Sequence, residues 1–310
     1  LKRNLKNVIS KSSSVRIVQP YELNRKLIVR PFEAGLNVLD FFALRFPYIS
    51  RIEWAGRIER GWITIDGKPL QREGLIEAND TLMHYSPAVR EPSVPASVEI
   101  IMETKDWLMV YKPAPMPMHQ GGRYFKNTLI YILEELGYGD VKMVHRLDSV
   151  TSGLVLIARN KDTALRLRTL FETGRVRKWY FALVEGEVKS EFTADIPIRR
   201  KNGFIFECGN RLKGSKQART EVYPVKSAGG KTLVRCVPVT GRTHQIRLHL
   251  QYAGYPIIDD PIYGPEGDTS GRKLQNSAIK LQSSGIVIEE MLISDSLPVP
   301  ADWLVEESYL

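Results

Sequence analysis

The sequence predicts a mixed α+β protein, and three observations point to it. Apolar runs at 107–111, 154–158 and 232–239 have strand length and are bounded by polar, Gly or Pro residues. The segments 128–136 and 160–173 instead space their apolar residues at three and four. Between them and the N-terminal third, Pro87, Pro92 and Pro95 fall among Ser, Ala and Val. That composition reads as a stiff linker over 87–97, separating a small module from a large domain at 98–310.

Residues 1–30 read as a basic, loosely ordered arm, in which Lys2, Arg3, Lys6, Lys11 and Arg16 suit phosphate contact or plain solvation equally. In 31–86, Leu39, Phe42, Ala43 and Phe46 share one helical face, and Pro47 stops that helix. Ser50 and Glu53 form the capping box of a second helix, which Gly61 ends. The run 62–65 alternates like a strand, Asp66-Gly67 is a hairpin turn, and 81–85 closes the sheet. Two short helices followed by a hairpin resemble the αL-type RNA-binding module. The second helix carries Arg51, Arg57 and Arg60, which suit a phosphate backbone or solvent and are read here as RNA contacts.

The large domain opens with strands at 98–102 and 107–111, then a loop from Lys112-Pro113 to Gly121-Gly122. Leu129, Ile132, Leu133 and Leu136 give the next helix its inner face. The run Leu154 to Ala158 alternates poorly, as a strand buried on both faces does. Asn160 caps a helix to about Thr173, closed by Gly174. Arg175, Arg177 and Lys178 then lead into the strand of Tyr180, so cations for phosphate stand beside rings for stacking on a base. An edge strand with solvated charges would look the same. The stretch 187–230 reads as a loop-rich excursion with basic loops at 199–203 and 211–216. Thr243 is placed to cap a last helix, with Ile246, Leu250 and Ala253 inward and His244, Arg247 and Gln251 on the other face.

A net charge of +9 and a pI near 9.4 favour a polyanionic partner, nucleic acid before membrane. No run of roughly 18 apolar residues offers a membrane span. Cys208 and Cys236 make no disulfide framework and fit a reducing compartment. The five histidines show no zinc-type pairing with cysteine, so no metal is expected, and His145 and His249 read as structural hydrogen-bonding groups. A cytoplasmic location is expected. The chain starts at Leu1 rather than a methionine, which leaves room for an upstream segment and for an organellar or nuclear location.

The stretch Val144-His145-Arg146-Leu147-Asp148 sets a carboxylate on a turn before the buried strand, and alone it fits a structural ion pair as well as a catalytic acid. Two further stretches follow in order, 178–186 around Lys178 and Tyr180, and Gly241-Arg242-Thr243-His244-Gln245-Ile246-Arg247. With Tyr111-Lys112-Pro113-Ala114 upstream and the 254–264 segment downstream, they closely resemble the RluA-type RNA pseudouridine synthase family over roughly 100–265. The resemblance implies a mainly antiparallel α+β catalytic domain with a central cleft, acting on tRNA or rRNA as a monomer. It implies no cofactor, Asp148 as the catalytic carboxylate, Arg247 as its cationic partner and Tyr180 as the ring that stacks on uracil. Arg146 corresponds to the arginine that fills the space of the everted nucleotide, and Lys216 matches the pattern entering the next strand. Leu183 or the 246–248 segment is expected to wall the pocket.

Turning uridine into pseudouridine breaks the N1–C1′ bond, turns the base and re-attaches it through C5. That needs an ionised carboxylate, a cation to orient it, and a pocket that takes the base out of its stack and away from water. Attack at C1′, attack at C6 and removal of a sugar proton all remain open to such an acid. Two departures from the family stand out: Asp259-Asp260 where many members have Gly-Asp, and no histidine in 277–281. A non-catalytic RNA chaperone would share the basic surface but has no use for the three-residue constellation. A glycoside-cleaving enzyme would need a second carboxylate, and none stands out.

Overall fold

The computed structural model describes residues 2–3, 14–268, 277–291 and 293–303. The chain divides into two compact units, one of residues 17–93 and 120–126 and the other of 1–16, 94–119 and 127–310.

In the smaller unit, strands Tyr21–Ile28, Thr81–Val89, Ile63–Ile65 and Lys68–Pro69 lie in that order in an antiparallel sheet. Asp66 and Gly67 both take positive φ (46° and 76°), as a two-residue turn matched to strand twist requires. Helices Val38–Arg45 and Arg51–Glu59 start at Asn37 and Ser50, whose side chains accept from the backbone N–H of Asp40 and Glu53. Phe42, Trp54, Ile63 and Leu82 fill the core between helices and sheet. The strand at 21–28 corrects the reading of 1–30 as a loose arm. Its alternation is real, but Arg25 occupies an inward position between Leu23 and Leu27, and the charge hid the period. Arg16, in the larger unit, pairs with Glu135 at 2.7 Å, so it is neither solvated nor free for phosphate. Lys6 and Lys11 of the expected arm lie outside the described residues.

The larger unit is built on one sheet with eleven strands among the described residues. The main path runs Lys2–Arg3, Glu99–Glu103, Trp107–Lys112, Ser152–Ala158, Leu281–Ile288, Arg177–Glu185, Lys231–Pro238, Arg219–Ala228 and Phe192–Asp195. Lys142–Met143 and Ile293–Ser296 pair beside it. Every pairing is antiparallel except that of 152–158 with 281–288. The sheet is therefore mainly antiparallel with α and β mixed, as expected.

Helix Lys161–Glu172, capped by Asn160, lays Ala164, Leu167 and Leu170 on Leu154, Leu156 and Ala158. Ala182, Val184, Val222 and Val234 form a second core with Ile246 and Leu250 of helix Gln245–Tyr252. The expected loops of 187–230 are largely strand: 192–195, 219–228 and a hairpin of Ile198–Asn202 with Ile205–Cys208. Arg199, Arg200 and Lys201 thus sit on a strand. A two-stranded ribbon wet on one face shows little apolar alternation, so the sequence reads as loop.

The parallel pairing at the sheet centre depends on one glycine. Gly153 has φ +116°, and a β-carbon there would stand 2.2 Å from the Ser283 carbonyl oxygen. Gly153→Ala is expected to cost about 2–4 kcal/mol through strain and overpacking. Denaturant unfolding of the two proteins measures it; equal stability would show that the two strands separate freely.

Candidate active site

Asp148 lies on the turn before the 152–158 strand. Its carbonyl accepts from Thr151 N at 3.1 Å, closing the turn. The next peptide is fixed twice: Ser149 O accepts from Met116 N at 2.8 Å and from Lys112 Nζ at 3.3 Å. Lys112 is fully buried and also donates to the carbonyls of Pro113 and Met116. Burial pushes its amine down to about 7, with the nearby Asp148 carboxylate opposing. The Lys112 side chain is thus a tie between the 112–116 loop and the Asp148 turn.

Facing Asp148 is Arg247, in the first turn of helix Gln245–Tyr252. His244 takes a left-handed conformation (φ 57°) and caps without its side chain. Gln245 ties down the loop before the helix: its Oε1 accepts from Thr240 Oγ1 at 2.6 Å and from Arg242 N at 3.0 Å, and its amide donates to Arg219 O and Thr220 Oγ1. The cap position at His244 corrects the reading of Thr243 as the cap. Residues 245–250 are all buried, so Arg247 has no solvent face.

The Arg247 guanidinium is shared between two acids. Nε and Nη2 donate to the two oxygens of Asp260 at 2.7 and 2.8 Å, a bidentate fork, while Nη1 reaches Asp148 Oδ2 at 3.3 Å. Asp260 also accepts from the N–H groups of Ile262 and Tyr263. Burial of the guanidinium would lower its pKa, but the Asp260 hydrogen bonds and the charges of Asp260 and Asp148 reverse this and raise it. Tyr263 lies beneath, its ring centroid 4.9 Å from the guanidinium carbon. Its hydroxyl accepts from Phe206 N and bonds His244 Nδ1 at 2.9 Å, which leaves His244 Nε2 pointing to Asp148 Oδ2 at 3.9 Å.

Burial alone would push the Asp148 carboxyl up. His244, then Arg247 by charge and hydrogen bond, and Arg146 outweigh it and hold the carboxyl below its usual value. Burial pushes His244 itself down to about 4, so near neutrality it is uncharged and the standing positive charge is that of Arg247. Tyr180 is pushed up to about 12, by burial first, and stays a neutral phenol.

Arg146, Asp148, Lys178, Tyr180 and Arg247 all line one cavity of about 470 Å³, a size suited to one small ligand. Leu183 does not line it. Strand alternation turns Tyr180, Ala182 and Val184 to one face and Leu183 to the other, against Leu233 and Trp303. Ile246 and Leu281 supply the apolar wall. Arg175 and Arg177 are exposed outside the cavity and pair with Glu290 and Glu289. Lys216 bridges Ile198 by its backbone, away from the cavity lining. Arg51, Arg57 and Arg60 belong to the smaller unit, where Asp40 and Glu53 pair with them. His145 accepts from Leu156 N and stacks on Phe171, and His249 bonds Thr220 and the Ile196 carbonyl, so both hold structure.

A model of the family described as RNA pseudouridylate synthase matches residues 106–252, a span that holds Asp148, Tyr180 and Arg247. Ribosomal large subunit pseudouridine synthase D of Pseudomonas aeruginosa is 31% identical over 243 residues, covering 76% of each chain. This chain belongs to the RluA-type RNA pseudouridylate synthase family. RNA pseudouridine synthase 7 of Arabidopsis thaliana is 35% identical over 259 residues, 80% of this chain and 65% of that protein. The chain thus spans a little under two thirds of that plant relative. A solved human structure, RNA pseudouridylate synthase domain containing 1, aligns with a TM-score of 0.56 at 25% identity, covering 67% of this chain and 86% of the other.

Among family features, the Asp259-Asp260 departure now has a reading. Asp259 is exposed with φ 63°, a conformation glycine takes freely and Asp tolerates. Asp260 is the buried anchor of Arg247. Motif reading missed Asp260, His244, Tyr263 and Gln245 as parts of the site. The signal available was an acidic residue near a required arginine, but their separation of 13 residues gives no local cue.

Asp260→Ala strands the Arg247 charge, so a stability loss of about 3–5 kcal/mol is expected in denaturant unfolding. His145 is held down to about 3, chiefly by burial. As pH falls below its ordinary value near 6.5, only the unfolded state takes up that proton, so stability is lost from there toward pH 3 and is level below. His145→Gln keeps an acceptor for Leu156 N without titrating. It is expected to flatten the pH–stability slope between 6 and 4 by about 1.4 kcal/mol per pH unit; an unchanged slope would show that other groups set the acid limb.

Proposed function

We propose that this chain is an RNA pseudouridine synthase that isomerises uridine in structured tRNA or rRNA. The observation that carries the reading is Asp148, ionised and gripped by an Asp260-anchored Arg247 at the wall of a nucleotide-sized cavity. Relatives named as a ribosomal large subunit pseudouridine synthase and as a mitochondrial tRNA pseudouridine synthase, the latter of Saccharomyces cerevisiae, support both RNA classes, and the second supports an organellar setting beside the cytoplasmic one.

In this reading a uridine leaves its stack and enters the cavity with its base against Tyr180. Asp148 is the catalytic residue. The N1–C1′ bond breaks, the base turns, C5 joins C1′, and the C5 proton leaves while the freed N1 takes one up. Arg247 keeps the carboxylate charged and aimed without leaving its other anion, so little reorganisation accompanies the reaction. The neutral Tyr180 hydroxyl can hold or pass a proton; a tyrosinate could only accept one. No step here calls on a metal. Arg146 is exposed and makes no direct ion pair among the described residues, which suits it to fill the space the nucleotide vacates.

The smaller unit is read as the αL-type module. Arg51, Arg57 and Arg60, with Arg175, Arg177, Lys178 and Lys216, are read as backbone contacts. Surface ion pairs such as those of Arg175 and Arg177 are worth about 0–1 kcal/mol and yield readily to phosphate. One chain supplies the whole constellation, so a monomer suffices.

Tritium release from RNA carrying 5-³H-uridine tests the assignment. Asp148→Ala is expected to lower release by roughly 10³-fold or more, about 4 kcal/mol in barrier, while RNA affinity stays within a few-fold. Normal release by this variant would remove Asp148 as the catalyst.

A further inference from the structure

The cations around the cavity are not equivalent. Arg247 is held by Asp260 and Asp148, and the neighbouring Arg175 and Arg177 by Glu290 and Glu289. Lys178 follows Arg177 in sequence and lines the cavity, yet among the described residues no ion pair or hydrogen bond holds its ammonium. Burial shifts it below its ordinary value and no carboxylate offsets the shift. Its Nζ stands 5.8 Å from the Phe171 ring centroid and close against Gly241, where a β-carbon would sit 3.5 Å away. Arg242 beside it donates Nε to the Gln217 carbonyl, not to an acid.

A half-buried ammonium without an anion costs free energy that the fold leaves uncompensated. A ligand that brings a full negative charge compensates it; a carbonyl of uracil brings only a partial one. Strand geometry fixes where that charge must be. Lys178 and Tyr180 are two apart on the same strand face, roughly 7 Å along the chain. Both side chains line the cavity, and the ammonium stands on the side of Gly241. A base against Tyr180 extends its ribose and phosphate over about that reach. The shape of Lys also fits: a compact point charge suits a single phosphate oxygen, where the planar fork of Arg247 suits a carboxylate.

We propose that Lys178, set against Gly241, is the seat of the phosphodiester belonging to the nucleotide in the cavity, so that the site takes a uridine within a charged backbone and disfavours the free nucleoside. The proposal rests on the reading of the cavity as a uridine site and adds which anion completes it.

The test uses the full chain and a fluorescein-labelled twelve-residue oligouridylate, with binding followed by anisotropy from low to moderate salt. Lys178→Gln is expected to weaken binding about 5–10-fold at low salt and to shallow the log Kd against log salt slope by ~0.7, the share of one single-strand phosphate. Lys178→Arg is expected to restore the slope. The same oligonucleotide with methylphosphonate in place of every phosphodiester is expected to bind the wild-type and Lys178→Gln proteins alike, which needs no assumption about the variant's folding at charged probes. An unchanged slope in Lys178→Gln, a variant defect equally large on the neutral backbone, or no binding of oligouridylate by the wild type at low salt would each overturn the proposal. Tritium release measured on the same preparations separates the two readings: a shallower slope with no release from 5-³H-uridine RNA by the wild type would remove the isomerase and leave the phosphate seat.

Discussion

A buried guanidinium shared by two carboxylates organises this structure. Arg247 is almost inaccessible to water, and a cation there must be matched by anions and hydrogen bonds. Asp260 supplies the match: it takes two bonds from Arg247 and two from the backbone of its own turn, so it is itself fully engaged. The remaining Nη1 is then presented to Asp148 in a fixed direction. The placement of Arg247 against Asp148 follows from satisfying a buried charge, because any displacement of Arg247 toward Asp148 would break the stronger fork behind it.

The supports around this pair are distributed over the larger unit. The Asp148 turn hangs from Lys112 and Met116 on one side and from the Gly153–Ser283 close approach on the other. The helix of Arg247 starts where Gln245 gathers Thr240, Arg242, Arg219 and Thr220. Tyr263 sits under the guanidinium and bonds His244, so the 260–263 turn holds both side chains that face Asp148. Each support is a buried polar contact with its partner in place, the condition under which such networks rigidify.

Much of this was legible before the fold was known. Helices 38–45, 51–59, 129–135 and 161–172 start at residues whose side chains cap them, and caps are local signals. The central strand was legible because 154–158 is apolar without alternation. The 21–28 strand and the 198–208 hairpin were not, because charged side chains at half-buried or wet positions erase the period of two. The start of the last helix was misplaced because a glutamine, not the preceding threonine, satisfies the turn.

The sequence by itself determined the order of the motifs, the presence of an acid, a tyrosine and two arginines with the right chemistry, and the basic excess that suits RNA. Those are properties of residue type and local spacing, which a linear chain displays directly. Only the tertiary structure decided which cations are already matched by carboxylates and which are not. Arg175 and Lys178 look alike in the sequence, but one meets Glu290 across 115 residues and the other faces the cavity without a counter-ion. Charge compensation depends on distance in space, and a residue's partner across the sheet leaves no trace in its neighbours along the chain.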